Sequence, residues 1–517
     1  MIYNRTEKDE QAHLIKVINL IKTAIKKTEL SVKERTQTLN EEKEYLWDNK
    51  DIDPHEIRSV RENILNVFAT GEMVIAKRER MNKMLNTPYF GRIDFRREGN
   101  NNTAIPIYIG IYTYYDFDLK SCLIYDWRAP VSSMYYDYEL GEAFYNSSSA
   151  KIKGEILLKR QYRIRNGIME YMIESSITIH DDVLQKELST NSDDRMKNIV
   201  ATIQREQNKI IRNNESRVLI IQGVAGSGKT SIALHRIAYL LYVHKESILS
   251  KDILIISPNK VFADYISNVL PELGEENVPE STMDEIFSGI LEQKCKYLSF
   301  SEQSAELLEE PSLEYVSRIK YKSSLEFTVA LDNFLIHVEN TYFRATDIKV
   351  RHLTIPHEYL SEQFRRFHRY PVRQRFDAMA EYIADELQIK YGTIIHTSDR
   401  KFLQKKIKGM FRGNNDLQLY KEFFEWVGLP KMFKMRRNKV LEHSDLAPLS
   451  YLRIVLDGLK PYCRVKHLLI DEMQDYSPIQ YKVIQKLFPC RKTILGDASQ
   501  SLIPYGSSTA GIIQKIE

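Results

Sequence analysis

The stretch Gly223-Val224-Ala225-Gly226-Ser227-Gly228-Lys229-Thr230, set in RVLIIQGVAGSGKTSIALHRIAYLLY, decides the fold of this chain. The β-branched run before it reads as a strand and the amphipathic run after it as a helix. Between them the spacing GxxxxGK[ST] describes a phosphate loop. Glycines let successive backbone N–H groups and the helix N-terminus turn toward an anion. Gly223, Ala225, Gly226, Ser227 and Gly228 would cradle the phosphates of ATP. Lys229 would reach the β and γ phosphates, while Thr230, followed by Ser231, would ligate Mg²⁺.

Working outward, residues 217–285 alternate short β-branched runs with helices, which predicts an α/β fold built on a parallel sheet. The rhythm stops at about residue 286 and resumes near 446, at VKHLLIDE and RKTILGD. The polar, helical block of 286–445 is therefore an insertion into the sheet. In KHLLIDEMQD an apolar strand delivers Asp471 beside the Mg²⁺ of the loop, and Glu472 is placed to orient and deprotonate an attacking water. An apolar run before Asp-Glu also suits a solvated turn; the phosphate loop upstream favours the site. Asp497 and Gln500, in ILGDASQ, fall at the carboxyl end of the next strand, where such sheets bind ligands. Gln207, upstream of the loop, carries an amide suited to an adenine edge.

The first 85 or so residues carry apolar positions at Ile18, Ile21, Ile25, Val32, Leu39 and Leu46. A second stripe follows at Ile57, Val60, Ile64, Val67, Val74, Met81 and Leu85. Two seams joined by one turn predict an antiparallel helical hairpin, about 60 Å long at 1.5 Å per residue. Its tip would carry Asp48, Asp51, Asp53 and Glu56. A helix pair lying flat on the body fits the same pattern. From Pro88 to about Thr178 the texture is β-rich and dense in tyrosine, which fits sheet faces better than base stacking.

A net charge of +4 does not by itself imply nucleic acid. Local charge is more informative: residues 399–439 hold twelve Lys and Arg against four Asp and Glu, with Phe402, Phe411, Phe423 and Trp426 interleaved. This composition suits a nucleic-acid or protein-channel surface, and equally a solvated helical face over an ordinary aromatic core. Arg365, Arg366, Arg369 and Arg373 form a weaker cluster. The four cysteines are scattered without a CxxC pair, so reduced thiols and a cytoplasmic location are expected. No apolar run reaches membrane-spanning length, and the polar N-terminus excludes a secretory signal.

The set TIQREQ, GVAGSGKT, IISPNKVFADYI, LLIDEMQD and LGDASQS resembles the first half of a superfamily I helicase of the UvrD/Rep type. More closely, GVAGSGKTSIALHRIAYLLY, DWRAPVSSMYYDYELGEAFY and DEMQDYSP resemble HelD-type proteins, ATP-dependent factors that bind RNA polymerase and release it from nucleic acid. The resemblance implies a RecA-like motor domain in two parts, 196–285 and 446–517, interrupted by a helical arm over 286–445. It further implies a hairpin over 1–87 and a β-rich segment over 88–195 packing on the motor. By motif, Gln207 would contact adenine, and Gln474, Asp497 and Gln500 would sense the γ-phosphate. Ser257, Asn259 and Lys260 fall on the motif that contacts single-stranded DNA in true helicases, in an altered form. The second RecA-like domain of such motors is expected to be missing from these 517 residues, leaving weak hydrolysis by the chain alone. Two other readings stay open: a 3′-to-5′ DNA helicase, and a nucleotide-binding fragment that does not hydrolyse ATP.

Overall fold

The computed structural model describes residues 6–48, 53–99, 103–147, 150–174, 203–224, 226–258, 269–292, 296–309, 312–392, 394–497 and 510–516. Asp51, Ala225, Asn259, Lys260, Cys295 and Gln500 lie outside them. The chain divides into two compact units. One comprises Met1–Asn214, Leu234–Lys245 and Asn268–Glu276; the other comprises Glu215–Ala233, Glu246–Ser267 and Asn277–Glu517.

In the first unit, helix α1 (Glu7–Asp48) and helix α2 (Pro54–Asn86) run antiparallel. Tyr45 Oη donates to Glu56 Oε1 at 2.7 Å near the turn, and Arg35 donates to Thr70 further down. Asp53 caps α2 by accepting the His55 N–H at 3.0 Å, with Pro54 pre-setting the first helical φ. The apolar seam is fully buried only at its base, where Leu14, Val17, Ile21 and Ile25 of α1 and Met81 and Met84 of α2 join a tyrosine-rich core. Beyond Thr28 no α1 residue is buried, and Leu30, Trp47, Leu65 and Met73 stand exposed. The outer part of the hairpin is thus held by its own two helices.

The β-rich region folds as one sheet of seven strands: β1 (Gly91–Arg97), β2 (Ile105–Gly110), β3 (Tyr114–Asp116), β4 (Ser121–Asp126), β5 (Gly141–Asn146), β6 (Lys151–Arg165) and β7 (Ile168–Glu174). The order is β3-β4-β2-β1-β6-β5, with β7 also on β6. Pairing is antiparallel except between β2 and β4. Tyr89, Tyr108 and Tyr162 are buried together, Tyr89 tilted against Tyr108 and edge-on to Tyr162, so these tyrosines build the core. A buried ionic node pins the hairpin to the sheet. Glu10 of α1 pairs with Arg92 and Arg160 of the strands, and Arg92 also makes a two-pronged contact with Asp94. A second node uses the Asp-Trp-Arg sequence: Arg128 binds Asp126 and Glu275, and Arg212 donates to the carbonyls of Trp127 and Arg128.

The second unit contains the expected parallel sheet. Its five strands lie in the order Glu280–Ser281, Ile253–Ile256, His467–Ile470, Arg491–Gly496, Val218–Gln222. All pairings are parallel. The runs ILII and HLLI are buried at every position, as strands covered on both faces must be. The inserted helices are not a separate body within this unit. Phe327, Phe334, Phe376 and Phe423 belong to the same core as Leu254, Ile256, Leu468, Ile470 and Ile494 of the sheet. Two short strands, Lys296–Tyr297 and Val440–Leu441, pair in parallel and close the insertion at its ends. Beside them Glu442 is buried against Arg318 and Lys322, and Lys322 also pairs with Asp445.

Candidate nucleotide-binding site

Strand Val218–Gln222 ends at Gly223, and helix Lys229–Val243 begins at the lysine of the motif. The turn between them needs glycine for two distinct reasons. Gly226 and Gly228 take φ of 76° and 79°, the left-handed region where a Cβ is strained. Gly223 is constrained by space, since a Cβ there would meet Ser227 Oγ at 2.6 Å. Lys229 Nζ curls back over the loop and donates to Gly223 O at 2.6 Å and Val224 O at 3.0 Å. Thr230 and Ser231 fall in the first turn of the helix, half-buried.

Parallel register brings Asp471 to the same end of the sheet. Ile470 pairs with Ile256 and Ile494, and the Asp471 N–H continues the ladder to Ile256 O at 2.9 Å. The Asp471 side chain is buried, which pushes its carboxyl up to about 7, with the neighbouring Glu472 charge adding to the rise. Lys229 is close enough to oppose that shift, and Glu280 reinforces it. The loop lysine and the strand-end carboxylate therefore share one electrostatic neighbourhood.

After Asp471 the chain turns sharply. Glu472 sits at φ 49°, ψ 57°, a left-handed conformation for a residue with a side chain, and Met473–Asp475 form a single 3₁₀ turn. Gln474 spans this turn. Its Nε2 donates to Glu472 Oε2 at 2.6 Å, and its Oε1 accepts the Asp497 N–H at 3.0 Å. The two acidic motifs are thus joined by one amide. Gly496 permits the bridge, because a Cβ there would meet Gln474 Oε1 at 2.5 Å.

Two residues escaped sequence reading, Gly496 and Glu280. Gly496 had no signal beyond its place before Asp497. Glu280 and Ser257 are linked, with Ser257 Oγ donating to Glu280 Oε1 at 2.6 Å. The short edge strand holding Glu280 is bounded by the capping box of Thr282 and Glu285, which marks the next helix but not the strand. Gln207 belongs to the other unit, on helix Arg205–Ile211, where its Oε1 accepts the Gln204 N–H at 3.1 Å. Ala225 and Gln500 fall outside the described residues.

Residues 203–517 match the family model of the UvrD/REP helicase N-terminal domain. The chain belongs to the UvrD/REP helicase family. Residues 7–192 match the N-terminal domain of DNA helicase IV HelD, so the hairpin and β-sheet carry the HelD type of front end. A comparison with curated proteins found no match. The N-terminal domain of UvrD/REP helicases is a RecA-like P-loop domain, which agrees with the parallel sheet and loop described above.

The UvrD/REP family uses ATP and Mg²⁺ in general, and the residues here suit that pair. Among the described residues no group of three or more His, Cys, Asp or Glu could hold a metal ion unaided. Mg²⁺ is ordinarily held by one or two carboxylates together with substrate phosphates, so a lone buried Asp471 near the phosphate loop is the donor set expected. Among the described residues no helix is long and apolar enough to cross a membrane.

Proposed function

We propose that this chain is an ATP-dependent motor that binds RNA polymerase and releases or recycles it from nucleic acid. The observation carrying the polymerase reading is the HelD-type match over residues 7–192 on a unit whose hairpin extends past its sheet-packed base. The proposal keeps these domain limits: hairpin 1–87, β-rich segment 88–195, motor parts 196–285 and 446–517, inserted arm 286–445.

In this reading Lys229 exchanges the carbonyls of Gly223 and Val224 for phosphate oxygens. Gly223, Ala225, Gly226, Ser227, Gly228, Thr230 and Ser231 surround the phosphates, and Gln207 reads the adenine edge. Thr230 and Asp471 would hold the Mg²⁺, which when bound neutralises phosphate charge. Glu472 orients a water and takes its proton. Gln474 keeps Glu472 and Asp497 in a fixed relation, and with Gln500 these report the state of the γ-phosphate. A cytoplasmic location belongs to the same proposal.

The test is co-purification with RNA polymerase. Replacing residues 30–72 by a short linker leaves the buried base of the hairpin intact and should abolish the complex while preserving ATP binding. No complex with the intact chain, together with tight binding to 3′-tailed DNA, would favour a 3′-to-5′ helicase instead. The UvrD/REP match over the motor residues supports that second reading. ATP binding without any turnover would leave a nucleotide-binding fragment.

A further inference from the structure

Helix Arg205–Ile211, which carries Gln207, is only seven residues long. A helix of that length is not stable alone in water, so its neighbours set its position. The last carbonyls of any helix also lack partners within it. Here Arg236 supplies them: its Nη1 donates to Ile210 O at 3.0 Å and to Ile211 O at 3.2 Å. Arg236 is 2% exposed, so these bonds are made away from water. A cation there also suits the negative end of the helix.

Arg236 stands on helix Lys229–Val243, seven residues after the lysine of the phosphate loop. That is two turns, or about 10 Å of rigid helix. Tyr239, on the same helix, lies under the Arg212 guanidinium, which is 5.2 Å from the ring centre. Arg212 directly follows helix Arg205–Ile211 and is itself held. It donates to Trp127 O at 2.6 Å, to Arg128 O at 3.0 Å and to Asn208 Oδ1 at 3.0 Å. Asn208 is buried and donates on to Asp137 Oδ1 at 2.7 Å. The anchors thus gather toward the C-terminal end of the short helix, whereas Gln204, Arg205 and Glu206 at its start are exposed. Gln207 lies between them, half-buried. Its Oε1 is turned to the Gln204 N–H, and its Nε2 has no partner among the described residues.

We propose that Arg236 is a positioning residue for recognition of the nucleotide base. It ties the helix bearing Gln207 to the helix that opens on Lys229. The group that meets the adenine edge is thereby held in register with the group that meets the phosphates. The proposal rests on Gln207 being the adenine contact. An amide paired with adenine through two hydrogen bonds tolerates little displacement, because both must keep their length and direction at once. Loss of the anchor therefore costs base recognition and leaves phosphate binding in place, which general loss of the fold would not do. Arg236 acts through Gln207 and needs no contact with the ligand.

The test is titration calorimetry of the full chain with ATP, GTP and inorganic triphosphate, each in Mg²⁺. Arg236→Met keeps an apolar stem and removes the donors. It should weaken ATP binding about tenfold, the scale of one two-bond contact to adenine, and leave GTP and inorganic triphosphate within about twofold. Gln207→Ala should do the same. The double variant should bind ATP no more weakly than either single variant, because both remove one contact. Arg236→Lys keeps the cation and a donor for one carbonyl, so its loss should be smaller. It carries the same comparison if Arg236→Met does not fold. Equal losses for ATP and inorganic triphosphate, or additive losses in the double variant, would overturn the positioning role. An unchanged ATP preference in the Arg236 variants, beside a clear loss in Gln207→Ala, would overturn it while the adenine contact stands. A silent Gln207→Ala would overturn both.

Discussion

Gln474 accepts the backbone N–H of Asp497 through Oε1 at 3.0 Å while its Nε2 holds Glu472. One side chain therefore fixes the distance between the proposed water-orienting carboxylate and the end of the adjoining strand. Gln474→Ala should lower ATP turnover by about tenfold or more, the scale of a misplaced general base, with nucleotide affinity within about threefold. Steady-state turnover alongside binding of a fluorescent nucleotide separates the two. Equal losses in both would show that Gln474 merely supports the fold.

Gly496 gives that bridge its room. Gly496→Ala forces a methyl group against Gln474 Oε1 and Met473, and should destabilise the protein by about 1–3 kcal/mol through overpacking. Urea denaturation measures it. A double variant with Gln474→Ala should recover part of the loss, since one of the clashing groups is removed.

Asp471 and Lys229 separate binding from metal use. Lys229→Ala should weaken ATP binding at least about tenfold with or without Mg²⁺, by removal of the cation that faces the β and γ phosphates. Asp471→Asn should instead leave metal-free binding close to normal and remove the enhancement by Mg²⁺. Titration calorimetry in EDTA and in Mg²⁺ provides the comparison. Identical behaviour of the two variants would contradict the separate roles.

The hairpin base should be sensitive to acid. His13 is half-buried and stacks on Tyr108 with ring centroids 4.3 Å apart, and burial pulls its pKa from 6.5 down to about 4. Between those values the unfolded chain binds a proton that the folded chain does not, so stability rises with pH across the window. At pH 5 this amounts to about 2 kcal/mol lost relative to neutral pH, for a shift of that size. His13→Gln should flatten the dependence between about pH 4 and 6.5, read from urea midpoints of the first unit.

Glu10 should matter more than any surface carboxylate on α1. It is fully buried, and it compensates Arg92 and Arg160 together. Glu10→Ala leaves two buried guanidinium groups one anion short, at a cost of about 3–5 kcal/mol. Exposed Glu29→Ala provides the contrast and should fall within about 0.5 kcal/mol. Protease cleavage within α1, monitored by mass spectrometry, should accelerate in the Glu10 variant alone.

Much of this was legible in the chain itself. The phosphate loop, its flanking strand and helix, and the acidic strand end are local patterns, because phosphate binding needs backbone geometry that a few consecutive residues supply. The two-helix hairpin and the parallel α/β core were likewise written in apolar spacing. Tertiary structure decided what depends on distant partners. It showed that the inserted helices share the motor's core, that Gly496 makes room for Gln474, and that Ser257 is bonded to Glu280. It also sorted the basic block: Arg400, Arg412 and Arg436 meet carboxylates, while Lys401, Lys405 and Lys408 form no ion pair among the described residues. A sequence records how many charges a segment carries. Whether each is compensated depends on which groups the fold brings within a few ångströms of it, and those groups lie far along the chain.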